Sequence, residues 1–523
     1  MTIQTSAPIA VGVGPLAFED VVAVARGGAA VALTQEARAA IERARAVVDR
    51  LAEEPTPAYG ISTGFGALAT RHIPPEMRAQ LQRSLVRSHA AGSGPEVERE
   101  VVRGLMLLRL STLATGHTGI RLETAELMAA LLSEGITPVV HEYGSLGCSG
   151  DLAPLAHCAL ALMGEGEVRD GGGVLMPAAD ALAAVGLKPV ELAAKEGLAL
   201  INGTDGMLGM LVIALTDLRM LLRTADVAAA MSVEAQMGTE RVFAPELQAL
   251  RPQVGQALSA ANLVTLLAGS GVMASHRDDM FHRVQDAYSL RCSPQVHGAA
   301  RDTVEHAATV AERELRSAVD NPVVVGDEVR SNGNFHGAPV AYVLDFAAIV
   351  AADVASISER RTDRFLDKAR NHDLPPFLAD DPGVDSGLMI VQYTQAAIVS
   401  EMKRLAVPAS VDSIPSSAMQ EDHVSMGWSA ARKLRRSVDG LTRVLAIEVL
   451  TAARALDLRV STGSTTGVSP SPATGAVVRL LRESGIEGPG PDRHLSPEIE
   501  KAVELVRSGA VVAAVEDVIG ELQ

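Results

Sequence analysis

The chain has 523 residues, 47% of them hydrophobic and 21% charged, which is enough to bury a large core spread over several domains. Its 46 basic and 63 acidic residues give a net charge of −17, which argues against nucleic acid or an anionic membrane as a partner. Aromatic residues make up 3% of the chain, so a stacking platform for bases is not expected. The low charged fraction favours a helix-rich oligomer that buries apolar faces between its subunits.

Cysteine usage and the N-terminus indicate the cellular compartment. The three cysteines show no CxxC spacing, so neither a disulfide framework nor a zinc cluster is predicted. No basic residue precedes Arg26, which is unlike a signal peptide. The best candidate for a membrane span, residues 338–357, contains two aspartates. We therefore expect a reduced, cytoplasmic protein that does not contact a membrane.

Helical patterns open the chain. Thr34 resembles an N-cap, and apolar residues recur after it at three- and four-residue spacing as far as Leu51. The pair Pro74-Pro75 predicts the start of a second helix, which Gly92 ends. A third helix is predicted from Pro95 to about Gly116.

The later segments complete a mainly α pattern. Residues 168–175 read as a small hairpin, one of few strand signals in the chain. Long helical stretches then alternate with Pro- or Gly-bearing loops, and the last helices are predicted over about 496–522. We predict a mixed N-terminal domain (1–205), a central helical bundle (206–480) and C-terminal helices (481–523).

The most informative stretch is residues 144–157, in which glycines flank a small tripeptide and Asp151 resembles the N-cap of an apolar helix. A tight turn before a buried helix would explain such a pattern. A serine-hydrolase elbow is excluded, because Ser149 lacks the glycine two positions later. A nucleophilic pair of Cys148 and His157 remains an alternative.

The residue types of the tripeptide suit a different reaction. If the amide nitrogen of Gly150 attacks the carbonyl of Cys148, a five-membered ring closes with loss of water. Loss of the Ser149 hydroxyl as a second water then leaves an exocyclic methylidene, an electrophile made from the chain itself. Glycine lets the nitrogen approach closely, and the Cys148 side chain stays outside the ring. The following helix N-terminus adds positive potential.

Residues 147–157 resemble the signature of the histidine and aromatic amino-acid ammonia-lyases, whose prosthetic group is 4-methylideneimidazol-5-one (MIO). The commonest ring-forming tripeptide of that family is Ala-Ser-Gly, whereas this chain has Cys148-Ser149-Gly150. Other segments resemble the family's further motifs in the family's order: 200–204, 284–292, 334–337 and 420–426. The resemblance extends from about Tyr59 to at least His423.

The resemblance implies a long helical bundle of the aspartase/fumarase-like type, with MIO in the mixed N-terminal domain. It also implies a homotetramer whose active sites combine residues from several subunits. The implied reaction removes ammonia from an α-amino acid after MIO has captured the amine. No metal, nucleotide or pyridoxal phosphate is expected, since there is no Walker or dinucleotide fingerprint, only six lysines and no α/β pattern.

The resemblance also implies roles for single residues. Tyr59 would be the catalytic base, and Arg291 would bind the substrate carboxylate, for which guanidinium geometry is suited. Other positions would contact the substrate or MIO, or form a wall of the pocket: Asn202, Gln285, Tyr288 and Phe335. Structural roles remain open for each residue, such as a loop anchor, an ion pair, satisfaction of backbone groups or core packing.

Two positions indicate the substrate. Ser88-His89 matches the pair typical of histidine lyases, where the enzymes for phenylalanine and tyrosine tend to carry Phe-Leu or His-Leu. Glu421 matches the acidic residue of histidine lyases, where those enzymes have Gln. An imidazole N–H pairs with a carboxylate, but a phenyl ring would leave that carboxylate desolvated and unpaired. We therefore expect conversion of L-histidine to urocanate and ammonia, the first step of histidine degradation.

Competing hypotheses come from several classes. A tyrosine or phenylalanine lyase, or an aminomutase that re-adds ammonia at the β-carbon, would use the same electrophile. A catalytically silent scaffold would keep the fold and fail to cyclise. A lyase of the related fumarase/aspartase superfamily is disfavoured, because the Gly-Ser-Ser-x-Met-Pro signature is missing.

One further cluster suggests a metal site. It consists of His276, Asp278, Asp279, His282 and Asp286. A solvated acidic helix face is the favoured interpretation, and no metal is predicted.

Overall fold

The computed structural model describes residues 7–54, 61, 63, 73–277, 284–461 and 465–523. Tyr59 lies outside the described residues. The described chain is mostly helical, with helices α1 Phe18–Ala25, α2 Gln35–Glu53, α3 Arg78–His89, α4 Arg99–Ala114, α5 Leu122–Ser133, α6 Leu152–Leu162, α7 Ala178–Ala184, α8 Glu196–Ile201, α9 Asp205–Ala235, α10 Pro245–Ala249, α11 Val254–Leu267, α12 Gly271–Ala274, α13 Tyr288–Arg291, α14 Ser293–Leu315, α15 Ala338–Leu366, α16 Met389–Leu405, α17 Gly427–Ser461, α18 Pro472–Glu483, α19 Ser496–Arg507 and α20 Ala510–Ile519.

Short strands form small sheets between these helices. They are β1 Ile9–Val11, β2 Val31–Leu33, β3 Ser93–Glu96, β4 Thr137–Pro138, β5 His141–Tyr143, β6 Glu167–Arg169, β7 Leu175–Pro177, β8 Val323–Val325 and β9 Glu328–Arg330. Strands β1 and β2 pair in parallel, whereas β3–β5, β4–β6–β7 and β8–β9 are antiparallel. The predicted hairpin is confirmed as β6–β7.

Several predicted helix boundaries can be compared with the structure. Thr34 is the N-cap of α2, and its side chain accepts the Ala37 N–H. A 3₁₀ turn at Pro75–Met77 leads into α3, as the proline pair predicts. The predicted start at Pro95 is wrong. Pro95 lies in β3, the Val97 N–H donates to the Val140 carbonyl, and α4 begins only at Arg99.

The chain separates into two compact units, each built from three segments. The first comprises Met1–Ala214, Ala308–Asp345 and Pro408–Arg432, and the second Leu215–Ala307, Phe346–Val407 and Lys433–Gln523. Helices α9, α14, α15 and α17 contribute residues to both. The predicted domains 1–205, 206–480 and 481–523 follow continuous sequence and stay a prediction.

Helix α4 is the central element of the first unit. Every residue from Val101 to Ala114 is buried, as expected for a helix that is covered on all sides. Helices α1, α2 and α5 pack against it. Its Gly104 faces Gly209 of α9 so closely that a Cβ on Gly209 would lie 3.3 Å from the Gly104 carbonyl carbon. This contact positions the first turns of α9.

The second unit contains buried ionic clusters of its own. Glu448 accepts hydrogen bonds from Ser232, Ser358 and Arg361, all of them buried.

The acidic helix face predicted near His276 can also be compared with the structure. His276 is buried, and its Nδ1 lies 3.0 Å from the Val272 carbonyl, so the predicted solvated helix face is wrong at this residue. Asp286 is also buried, so the prediction of a solvated face is wrong there too. Asp278, Asp279 and His282 lie outside the described residues.

Two helical segments, Glu196–Ala235 and Ala338–Leu366, are long and apolar enough to cross a membrane by length and composition alone. The apolar window of the first is entirely buried in the protein, and that of the second is 61% buried. Asp345, one of the three aspartates in the second segment, accepts the Ser410 N–H. Such burial is the pattern of core helices.

A buried ion pair supports the first unit beside α8. The Lys195 ammonium lies 2.6 Å from the Asp320 carboxylate, and both side chains are fully buried. Burial lowers the pKa of Lys195, whereas the Asp320 carboxylate acts in the opposite direction. Breaking such a pair leaves an uncompensated buried charge.

We expect Lys195→Met to lower the free energy of unfolding by about 3–5 kcal/mol, because Asp320 loses its counter-charge. Chemical denaturation measures the loss. Arg83→Met is the matched control, since the Arg83–Glu191 pair is exposed and should contribute about 1 kcal/mol or less. Equal effects of the two substitutions would contradict this assignment.

Candidate active site

The tripeptide lies in a turn that only glycine can form at its ends. Gly147 and Gly150 have φ values of +70° and +76°, in the left-handed region that glycine favours. A Cβ on Gly150 would lie 2.1 Å from the Gly203 carbonyl oxygen, which no side chain tolerates. The Asp151 N–H donates to the same oxygen at 2.7 Å. The backbones of the tripeptide and of residue 203 are therefore in direct contact.

Asp151 has a different role from the one predicted. It occupies the N-cap position of α6, but its side chain does not cap that helix. Instead, its Oδ2 accepts the Met207 N–H at 2.9 Å, and its Oδ1 accepts the Ser145 hydroxyl at 2.8 Å. Complete burial raises the pKa of Asp151 to about 7, against the effect of these hydrogen bonds. The carboxyl group thus ties the start of α9 to the turn.

Two sequence-distant motifs hold the other end of the turn. The Gly147 carbonyl accepts the Ser425 hydroxyl at 2.8 Å and the Gly337 N–H at 3.0 Å. The Met426 N–H donates to the Leu146 carbonyl at 2.8 Å. Phe335, half-buried, precedes this contact by two residues. Segments 334–337 and 420–426 therefore meet at the tripeptide.

Glu421 contacts two residues of the tripeptide directly. Its Oε2 accepts the Cys148 thiol at 3.0 Å, and its Oε1 accepts the Ser149 hydroxyl at 2.9 Å. Two backbone hydrogen bonds pair Glu421 with Ser416 across the intervening turn. Residues 417–419 of that turn all have positive φ values although none is glycine, and such conformations cluster at functional sites.

The second predicted specificity residue, His89, is under the electrostatic influence of Glu421. His89 is the last residue of α3, and its Nδ1 lies 2.9 Å from the Leu85 carbonyl. Burial lowers the pKa of His89, while the Leu85 hydrogen bond and the Glu421 charge raise it. Because a carbonyl only accepts, Nδ1 carries the proton in the neutral ring, and Nε2 is left as an acceptor.

Asn202 is held by backbone contacts beside the turn. Its Nδ2 donates to the Asn321 carbonyl at 3.0 Å, and its buried Oδ1 has no hydrogen-bond partner among the described residues. Its main-chain carbonyl accepts Arg109, which also donates to Val319. Sequence analysis missed Arg109, although an arginine within an apolar helix was a usable signal.

The alternative Cys148–His157 pair is wrong. The His157 Nε2 accepts the Gly92 N–H at 3.2 Å, whereas the Cys148 thiol donates to Glu421. Burial, together with Glu421, raises the pKa of Cys148 to about 12, so the thiol stays protonated. A protonated thiol is a poor nucleophile.

The remaining predicted residues belong to the second unit. Gln285 and Tyr288 are exposed, and the Arg291 guanidinium lies 4.7 Å from the centre of the Tyr288 ring. The Nε of Arg291 is buried without a hydrogen-bond partner in the described part of the chain. The roles of these three residues and of Tyr59 stay predictions.

Comparisons with known proteins identify the family of this chain. A family model described as aromatic amino acid lyase matches residues 16–483. The chain is 66% identical over 515 residues to a histidine ammonia-lyase of Streptomyces griseus, covering 98% of this chain and 99% of that protein. It is 64% identical over 516 residues to one of Streptomyces coelicolor, with the same coverage.

Solved structures show the same fold. A tyrosine aminomutase of Streptomyces globisporus matches with a TM-score of 0.92 at 37% identity, covering 99% of this chain and 100% of that one. A histidine ammonia-lyase of Trypanosoma cruzi matches with a TM-score of 0.89 at 38% identity, covering 98% and 96%. The predicted mainly α fold is confirmed, and the chain belongs to the aromatic amino acid lyase family.

Proposed function

We propose that this enzyme is a histidine ammonia-lyase, which eliminates ammonia from L-histidine to give trans-urocanate at the start of histidine degradation. The observation that carries the proposal is the Glu421 carboxylate, which contacts Cys148 and Ser149 and acts on the pKa of His89. Relatives named histidine ammonia-lyase, 64–66% identical over nearly the whole chain, support the same substrate.

The residues present fit MIO formed from Cys148, Ser149 and Gly150. Gly150 has no room for a side chain, and the Ser149 hydroxyl that would leave is half-buried. The Cys148 side chain contacts Glu421, outside the ring that would close. Once formed, MIO supplies an electrophile for the substrate amine. The proposal needs no metal, nucleotide or pyridoxal phosphate.

The protein's own groups would bind and orient the substrate. Loss of the Ser149 hydroxyl as the second water removes the donor to Oε1 of Glu421, which can then accept an imidazole N–H. The Oδ1 of Asn202, which has no hydrogen-bond partner among the residues that the structure describes, is a second acceptor. In this proposal, Arg291 holds the substrate carboxylate and Tyr59 removes the β-proton. Phe335, Tyr288 and Gln285 contact the substrate or the prosthetic group.

A fold alone does not decide among the reactions of this family. The tyrosine aminomutase matches this chain closely in structure, so the site must separate the hypotheses. An anionic carboxylate beside the tripeptide favours a ring with an N–H donor over a phenyl ring, which would leave it unpaired. Glu421 therefore favours histidine.

Assembly and location follow from the same proposal. We expect a cytoplasmic homotetramer with shared active sites and without a membrane or nucleic-acid partner. Large apolar side chains that are exposed in the single chain support a subunit interface. They include Tyr342, Phe346, Ile390 and Tyr393.

Ser149→Ala should abolish ammonia release, because alanine has no hydroxyl to lose and no methylidene can form. The intact mass of the wild-type protein should be lower than the sequence mass by two water molecules. The variant cannot lose the water that comes from the Ser149 hydroxyl, so its mass should not show that second loss. Circular dichroism should show an unchanged fold. Retained turnover in Ser149→Ala would refute the MIO assignment.

Glu421→Gln should lower kcat/KM for L-histidine by about 10- to 100-fold, since a charge-assisted hydrogen bond contributes about 1.5–3 kcal/mol. Urocanate absorbance measures the rate, with L-tyrosine and L-phenylalanine assayed in parallel. Activity of the wild-type enzyme on tyrosine but not on histidine would overturn the proposed substrate.

A further inference from the structure

The two carboxylate oxygens of Glu421 accept hydrogen bonds from two different donors, and only one of these donors would remain after MIO forms. Oε1 accepts the Ser149 hydroxyl and Oε2 accepts the Cys148 thiol. The proposed dehydration that follows ring closure expels the Ser149 oxygen as water, but the Cys148 side chain is not part of the ring. Of these two donors, only the thiol would persist in the mature enzyme.

The thiol is well suited to remain a donor. Cys148 is 5% exposed, and its raised pKa keeps the S–H protonated at neutral pH. Its sulfur lies 3.0 Å from Oε2, within hydrogen-bond distance. An S–H carries a single proton, so this contact commits it to one acceptor.

Glu421 needs such a donor. It is only partly buried, and its side chain has several rotatable bonds whose ordering costs conformational entropy. Its backbone is held by the pairing with Ser416, but that pairing does not fix the side-chain torsions. A hydrogen bond to one oxygen restricts the side-chain torsions and therefore the directions in which the other oxygen can point.

We propose that Cys148 is a positioning residue, whose thiol holds Oε2 of Glu421 so that Oε1 faces the imidazole ring of the substrate. The inference rests on the proposed function, and it assigns part of the selectivity for histidine to the first residue of the tripeptide. The side chain of that residue thus acts on the substrate through Glu421, while only its main-chain carbonyl takes part in ring closure.

The chain offers matched variants for a test. Cys148→Ala creates the Ala-Ser-Gly tripeptide that is commonest in the family, so it should still cyclise while it removes the donor. Cys148→Ser keeps a hydroxyl donor at the same position. Cys158→Ala removes a different buried thiol, in α6, and serves as the control.

We expect Cys148→Ala to lower kcat/KM for L-histidine by about tenfold. The substrate ratio, which is kcat/KM for L-histidine divided by kcat/KM for L-phenylalanine, should fall by a similar factor. Rates are normalised to the mature fraction, which intact mass gives for each variant. Cys148→Ser should restore the ratio to within about threefold of wild type, and Cys158→Ala should leave it unchanged. In a Glu421→Gln background, Cys148→Ala should have less than about a twofold effect.

Infrared spectroscopy supplies a readout that is independent of activity. The S–H stretching band of Cys148, isolated as the difference between proteins with and without Cys148→Ala, should lie at lower wavenumber when Glu421 accepts the proton. The Ser149→Ala protein, which cannot form the methylidene, is the sample of choice. Adding Glu421→Gln should move the band to higher wavenumber.

The outcomes separate this inference from the proposed function. If wild type deaminates histidine and Cys148→Ala keeps the wild-type substrate ratio, the positioning role is refuted and the proposed function stands. An equal loss in the Glu421→Gln background, or an S–H band insensitive to that substitution, also refutes it. A mature wild-type enzyme that forms no urocanate would overturn both.

Discussion

The direct contact between the backbones of Gly150 and Gly203 is the constraint on which the site depends. A side chain at position 150 would overlap the Gly203 carbonyl, and that carbonyl also accepts the Asp151 N–H. The turn is thereby pressed against the start of α9. At its other end, the Gly147 carbonyl accepts hydrogen bonds from Ser425 and Gly337. Three sequence-distant segments thus restrict the conformation of one tripeptide, as an intramolecular condensation requires.

A buried polar network holds the Gly203 side of this contact in place. Arg109 donates to the Asn202 and Val319 carbonyls and pairs with Asp205 at 3.3 Å. Lys195 and Asp320 form a second buried pair in the same unit. Removing one member of such a buried ion pair would leave the other charge uncompensated, so each member restricts where its partner can lie. The stability of the first unit and the geometry of the turn are therefore linked through residues that never meet the substrate.

Local signals explain what could be predicted from the sequence. The cap at Thr34, the proline pair before α3 and the hairpin β6–β7 each depend on neighbouring residues. The resemblance to a known family supplied the motifs at 334–337 and 420–426, and the structure brings both to the tripeptide. Pro95 misled because a long-range pairing with β5 overrode a local helix-start signal.

Long-range contacts explain what the sequence could not show. The N-cap position of Asp151 was predictable, but its carboxyl group binds the Met207 amide 56 residues away. The Cys148 thiol donates to Glu421, which lies 273 residues later in the chain, and no local sequence pattern indicates that contact. The partners in both contacts are polar and at least partly buried. A hydrogen bond is stronger in the low-dielectric protein interior than in water, so burial strengthens both contacts.

In the proposed function, Glu421 takes part in both the formation of MIO and the selection of the substrate. Its Oε1 accepts the Ser149 hydroxyl, and under the proposal the same oxygen is open to a substrate ring once that hydroxyl has left. The carboxylate is carried by a turn with left-handed residues at 417–419, while Ser425 and Met426 anchor the following segment to residues 146–147. Those anchoring bonds offset backbone strain that the turn could not sustain alone. If the proposed function holds, a change of substrate in this enzyme is constrained by the chemistry that builds the electrophile, because both depend on the Glu421 side chain and on the strained turn that carries it.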